Sequence, residues 1–213
     1  MRLRALAKIN LGLDILRKRE DGYHEVRMIM QTIQMYDVLE MKRVRKPGIS
    51  LSVNYSYIPN DERNLVYKAA KLLMDEFDLK EGVQITLNKH IPVAAGLAGG
   101  SSNAAAVLFG INRMFSLGLS QKELMERGVT LGADVPYCVM RGTVLAEGIG
   151  EILTPLPACP KCHVLIAKPP ISVSTKLVYE KLDSHEIEDH PDIDGIIAVS
   201  YTHLRAHETG AYL

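Results

Sequence analysis

Alternation of apolar and polar positions opens the chain as a β-rich meander. Residues 3–8 and 11–17 read as strands on either side of Ile9-Asn10, with Leu11, Leu13 and Ile15 sharing one face. Lys18-Arg19-Glu20-Asp21-Gly22 is a polar hairpin loop, and Tyr23 and His24 stand at its exit. Residues 25–34 resume a strand rich in Val, Ile and Met. Shorter strands are expected at 37–43 and 49–53, turned by Pro47-Gly48. Helical spacing then takes over, because Leu65, Ala69, Leu72, Leu73 and Phe77 fall on one stripe of a helix over 64–77. Val83, Ile85 and Leu87 alternate again, in a strand that leads into Pro92-Val-Ala-Ala-Gly-Leu-Ala-Gly-Gly-Ser-Ser102. Beyond that loop Ala104, Val107, Leu108, Ile111, Met114 and Phe115 line one helical face. Ser120-Gln-Lys-Glu123 is a capping box for a helix reaching about Leu131, which Gly132-Ala-Asp134-Val-Pro136 breaks. A strand at 140–146, a turn at 147–150, a buried strand at 162–168 and the start of a helix at 175–181 complete the pattern. Strands followed by helices point to an α+β sandwich rather than a βαβ wind.

Composition narrows the classes. A chain of 213 residues holds one large or two small domains, and 47% hydrophobic with 23% charged residues is ordinary for a soluble globular protein. Lys plus Arg equals Asp plus Glu at 25 each, which leaves no basic field for nucleic acid or an anionic membrane. No apolar run approaches the roughly 18 residues of a membrane span, and the N-terminus carries no signal-peptide core, so a cytoplasmic protein is expected. Three cysteines argue against a disulfide framework. Cys159-Pro-Lys-Cys162-His163 matches the haem-attachment pattern, but that chemistry needs export, and a zinc site lacks its second Cys pair. The two thiols are read as unrelated residues of a connection. His185 and His190 are five apart, about 140° around a helix, which rejects a metalloprotease reading.

Three features could carry chemistry. Gly96, Gly99 and Gly100 lack a Cβ, so the backbone can turn sharply and approach a ligand, and Ser101 and Ser102 open a helix whose free N–H groups favour an anion. A phosphate cradle is one reading; a flexible serine-capped loop before a core helix is the other. It is neither a Walker A loop, lacking Gly-Lys-Ser/Thr, nor the dinucleotide fingerprint. Asp134 lies in an otherwise apolar stretch, as a helix cap or as a general base or metal ligand. Lys8 sits in the apolar strand Ala5-Leu6-Ala7-Lys8-Ile9, where a charge is expensive unless solvated at an edge or paired; a Lys8–Asp134 pair would satisfy both groups.

Four motifs occur together and in order: Ala7-Lys8-Ile9-Asn10-Leu11, Gly22-Tyr23-His24, the 92–105 loop, and Leu131-Gly-Ala-Asp134-Val-Pro136. In this the chain resembles the galactokinase, homoserine kinase, mevalonate kinase and phosphomevalonate kinase (GHMP) superfamily. Its Asp-Gly-Tyr-His and Ala-Lys-Ile-Asn stretches are similar to those of the branch that phosphorylates the 2-hydroxyl of a cytidine-diphosphate-linked polyol, CDP-methylerythritol, in the non-mevalonate isoprenoid route. The resemblance implies a two-domain α+β GHMP-kinase fold whose N-terminal domain is like domain 2 of ribosomal protein S5. Residues 1–155 would be the ATP-binding domain and 156–198 the start of an incomplete C-terminal domain. Residues 199–213 match nothing expected of the family and read as an appended non-native tail.

The same resemblance implies ATP with Mg²⁺ as cofactors. Pro92, Gly96, Leu97, Gly99, Gly100, Ser101, Ser102 and Asn103 would wrap the phosphates, and Asn64 would lie near the adenine. Asp134 would take the proton from the acceptor hydroxyl, with Lys8 holding that aspartate ionised. Asn10 would orient the acceptor, Tyr23 and Tyr179 would sandwich the cytosine, and His24 would read its polar edge. Mg²⁺ would travel largely water-bound with the nucleotide, with no metal-binding side chains of the protein's own. A kinase with another acceptor alcohol, and a nucleotide-binding but inactive fragment, are the alternative readings.

Overall fold

The computed structural model describes residues 1–168, 178, 181–184 and 189–199. In chain order the elements are β1 (Arg2–Lys18), β2 (His24–Val44), β3 (Ile49–Val53), α1 (Leu65–Glu76), β4 (Gly82–Asn88), α2 (Gly99–Phe115), α3 (Gln121–Val129), α4 (Asp134–Met140), β5 (Thr143–Glu147) and β6 (Ile152–Pro155). The α+β class is borne out. The expected pairs 3–8 with 11–17 and 25–34 with 37–43 are each one continuous strand. No glycine or proline lies between Tyr23 and Lys46, so nothing in that stretch ends a ladder.

Two compact units are present: Met1–Lys8 with Ile33–Arg141, and Ile9–Thr32 with Gly142–Leu213. The units are discontinuous along the chain because β1 and β2 are long enough to contribute to both.

In the first unit the later half of β2 pairs antiparallel with β4, from Val38 opposite Asn88 to Val44 opposite Gly82. β3 lies parallel to β4, Ile49 opposite Val83. α2 packs against α1 and α4, and α3 against α4. Leu39, Met41, Leu73, Ile85, Leu87, Leu108, Ile111 and Tyr137 are almost fully buried and form this core. Leu73, Ile85, Leu87, Leu108 and Ile111 fall on the apolar faces that the spacing marks, which is how the pattern becomes packing. The α3 start carries the complete Ser120–Glu123 capping box.

In the second unit the first half of β2 pairs antiparallel with β5, Met28 opposite Ala146, and β5 pairs with β6. Ile29, Leu145 and Ile193 form its core, with Leu156 and Ile197 packed against them. Arg27 holds Asp194 through two bonds of 2.8 and 2.6 Å, and that guanidinium keeps the Asp194 carboxyl below its ordinary range.

Two expectations are corrected. Residues 134–140 form α4 where a break and then a strand from Met140 were expected. Pro136 is the third residue of that helix, where its missing N–H removes no intrahelical bond. Residues 162–168 are not a buried strand: none is in regular structure and Leu165 is 95% exposed. An apolar run becomes a strand only with a ladder partner, and no described strand pairs with it. The helix expected at 175–181 lies largely outside the described residues, as do Tyr179, His185 and the stretch 200–213; His190 is paired at 2.7 Å with the buried carboxylate of Asp14.

Arg141, just past α4, has φ 66 and ψ −177, a region essentially reserved for glycine. Its amide is held there by a 2.7 Å bond to the Tyr137 carbonyl. Relief of about 1–3 kcal/mol of strain, less about 0.5–1 for the freer unfolded chain, should make Arg141→Gly more stable by about 1 kcal/mol. Thermal unfolding checks this: a Tm raised by about 2–4 °C is expected, and a lowered Tm contradicts the strain.

Candidate active site

The glycine loop is built on alternating backbone handedness. Ala94, Gly96 and Ala98 have φ of 51, 71 and 53, while Ala95 and Leu97 between them stay on the ordinary side. Such alternation turns successive N–H groups toward one concavity, an anion-binding nest. Ala98 is the N-cap of α2 and offers no side-chain cap, and the first intrahelical bond runs from Ser102 N to Ala98 O at 2.8 Å. The N–H groups of Gly99, Gly100 and Ser101 therefore lack intrahelical partners at the positive end of a 17-residue helix. Space at Gly99 is tight: a Cβ there would lie 2.9 Å from Lys89 Nζ and 3.1 Å from Ile91 Cγ2, so both side chains would have to shift.

The helix begins two residues before the serines expected to open it. Ser102 is buried and donates its hydroxyl to the Leu6 carbonyl at 2.6 Å, tying α2 to β1. Leu97 is buried, and its carbonyl accepts the backbone N–H of Lys8 at 3.1 Å. The loop and the Lys8 strand are thus fixed to each other from both directions.

Lys8 Nζ stands 3.9 Å from Asp134 Oδ2, with the lysine side chain 7% exposed and the aspartate 32%. The expected pairing is present. Asp134 is the first residue of α4 rather than its cap, so its carboxylate is not consumed in capping. One turn on, Cys138 is buried; burial, and then the charge of Asp134, push its thiol well above the ordinary range. That thiol stays protonated and is no nucleophile. A carboxylate open to solvent, backed by a buried ammonium and joined through Leu97 to a nest, suits a proton acceptor beside a bound phosphate.

The remaining sequence candidates divide between the units. Asn64 caps α1, its Oδ1 accepting from Val66 N at 2.9 Å and its Nδ2 donating to the Pro59 carbonyl at 2.6 Å. Losing that cap should cost Asn64→Ala about 1 kcal/mol of stability, measurable by urea unfolding; Asn64→Asp, which keeps the capping oxygen, should lose less. Asn103 is turned inward, 2% exposed, and bonds Asp37 and Lys89. Asn10 and Tyr23 are exposed in the second unit, Tyr23 by 59%. His24 in that unit is bonded through Nε2 to Asp183 at 2.6 Å, and Lys18 donates to the other Asp183 oxygen at 2.6 Å. The histidine, and then the lysine, hold the Asp183 carboxyl below its usual range.

Three residues escaped the sequence reading: Asp37, Lys89 and Asp183. Asp37 sits between Tyr36 and Val38 in an apolar strand, the signal that singled out Lys8, and could have been found by the same rule. Among the described residues no three His, Cys, Asp or Glu side chains gather as a metal site. None of the helices among those residues is long and apolar enough to cross a membrane.

Residues 64–142 match the family profile of the GHMP kinases N terminal domain. The 4-diphosphocytidyl-2-C-methyl-D-erythritol kinase of Lachnospira eligens is 59% identical over 197 residues, covering 92% of this chain and 68% of the relative. That of Lachnoclostridium phytofermentans is 56% identical over 195 residues, 92% of this chain and 67% of the relative. A crystal structure of 4-(cytidine 5'-diphospho)-2C-methyl-D-erythritol kinase superposes with a TM-score of 0.74 at 32% identity, covering 95% of this chain and 72% of that one.

Proposed function

The chain belongs to the family of 4-diphosphocytidyl-2-C-methyl-D-erythritol kinases within the GHMP kinases, and from that premise we propose how its residues carry the reaction. The activity is transfer of the γ-phosphoryl group of ATP to a hydroxyl of the cytidine-diphosphate-linked methylerythritol. Asp134 accepts the proton of the 2-hydroxyl; the freed oxygen bonds to the γ-phosphorus as the bond to the ADP oxygen breaks. Lys8 balances the carboxylate and the charge gathering on the transferred group. The N–H groups of the 94–101 nest and helix mouth hold the phosphates, with Gly96, Gly99 and Gly100 allowing the close approach and Pro92 and Leu97 shaping its walls. Ser101 faces the phosphates; Ser102 and Asn103 support them from below. Asn64 marks the adenine end.

For the acceptor, Asn10 orients the polyol through its side-chain amide. Tyr23 and Tyr179 flank the cytosine, and His24, oriented by Asp183, reads its edge. Magnesium enters as part of the Mg·ATP substrate. Residues 1–155 serve as the ATP-binding domain, and the protein works in the cytoplasm.

The observation that carries this reading is the 3.9 Å Lys8–Asp134 pair, joined to the glycine loop by the Lys8–Leu97 backbone bond. Transfer of a phosphoryl group needs mostly positioning and charge compensation, which such a pair beside a nest provides. ADP release from Mg·ATP, assayed against the CDP-linked polyol, mevalonate, homoserine and galactose, tests it. Release with the first alone is expected. Release with another acceptor would reassign the substrate, and ATP binding with no release would mark the chain as an inactive nucleotide binder.

A further inference from the structure

We infer that Asp37, Lys89 and Asn103 are positioning residues that clamp the two ends of the phosphate loop onto one carboxylate, presetting the nest before nucleotide arrives. The inference rests on reading that loop as the nucleotide cradle. Asp37 lies in β2 and is fully buried, with Lys89 6% and Asn103 2% exposed. Its Oδ1 accepts the backbone N–H groups of His90 at 2.7 Å and Ile91 at 2.8 Å. Its Oδ2 accepts Asn103 Nδ2 at 2.8 Å and forms a close ion pair with Lys89 Nζ. Lys89 Nζ also donates to Asn103 Oδ1 at 3.2 Å, closing the triangle.

The sequence positions give this network its meaning. Lys89, His90 and Ile91 immediately precede the loop, and Asn103 lies in α2 just beyond it. The chain leaves Asp37 at Ile91, runs through the nest, and returns to Asp37 at Asn103. The cluster also reaches the cradle itself, since Lys89 Nζ lies directly beneath Gly99, the first residue of α2. A buried ion pair is a poor way to gain stability, because apolar residues of similar volume commonly do as well or better. What charged, directional bonds supply instead is a unique geometry. The cluster is close to neutral as a whole, and all three side chains are buried, so it touches no substrate and acts through the loop's shape. An open loop would order only on binding, and ATP affinity would fall by the fraction of time spent disordered.

Two variants of the whole chain test the clamp. Asn103→Ala removes the helix-side bonds while leaving Asp37 its lysine and both amides. Asp37→Asn keeps an oxygen for His90 and Ile91 but turns an NH₂ toward Lys89 and Asn103, donor against donor. Leu73→Ala, a core truncation in α1 of the same unit, controls for lost stability. For Asn103→Ala the KM for ATP should rise about tenfold, the equivalent of one or two hydrogen bonds, with the acceptor KM within about twofold. Asp37→Asn should raise it further. Amide hydrogen exchange over residues 93–102, measured without nucleotide, should quicken in both variants and not in Leu73→Ala. An unchanged KM for ATP in Asn103→Ala, unchanged loop exchange, or the same changes in Leu73→Ala would overturn the clamp. If Asp37→Asn does not fold, Asn103→Ala decides. If the parent chain turns over no ATP, the kinase reading fails, while the exchange measurement still decides whether the loop is clamped.

Discussion

Asp134→Asn should lower kcat by about 10²–10⁴-fold while leaving ATP affinity unchanged or slightly tighter. A positioned general base contributes roughly that factor, and a carboxamide of the same size cannot take a proton. The phosphate contacts assigned to the cradle are backbone N–H groups of residues 94–101, which the substitution does not touch. Removing one negative charge from the neighbourhood of the γ-phosphate can only ease binding. The partition between rate and affinity is therefore the diagnostic, read by single-turnover transfer alongside titration of ATP. Asp134 is one-third exposed and reachable by an acceptor, whereas Lys8 behind it is not. A variant retaining kcat within a few-fold would remove Asp134 from the role of base.

Lys8→Met comes next in size. Methionine keeps an unbranched side chain of similar length in the same slot between Ala7 and Ile9. The lost ammonium leaves the Asp134 carboxylate and the developing phosphoryl charge without their counter-ion, and loss of one such preorganised group typically costs about 10²–10³ in kcat. Stability should change much less, by about 1 kcal/mol: the interior is relieved of a charge, while a carboxylate that water partly covers loses its partner. Paired kcat and urea-unfolding measurements separate the two effects. A large loss of stability with kcat retained would make Lys8 a structural ion-pair partner and nothing more. The backbone bond from Lys8 N to Leu97 O survives the substitution, so the loop should keep its place.

Elements whose cause is local were legible in the sequence. The Ser120–Glu123 box needs only four consecutive residues to declare a helix start, and β3 was read with the bounds it has. The Lys8–Asp134 pair was legible for a physical reason too, since a charge amid Ala5, Leu6 and Ala7 demands a partner. Asp37 obeys the same rule, and its partners are a buried ammonium, two backbone N–H groups and an amide whose positions no spacing reveals. The start of α2 was misjudged because alanine at 98 carries no signal of left-handed backbone, a conformation imposed by the folded loop. The stretch 162–168 has strand-like composition, yet composition cannot supply a neighbouring strand. Family membership, read from four ordered motifs, agrees with relatives more than 50% identical over nine-tenths of the chain.

The most direct test of the central claim follows the phosphorus itself. ATP labelled in its γ-phosphate is incubated with magnesium, the CDP-linked methylerythritol and the chain as it stands, with Asp134→Asn in parallel. The account predicts label appearing on the polyol as a phosphate monoester, in step with ADP, and nearly absent with the variant. Label that stays on ATP, passes to inorganic phosphate, or reaches the polyol equally well without Asp134 would contradict it.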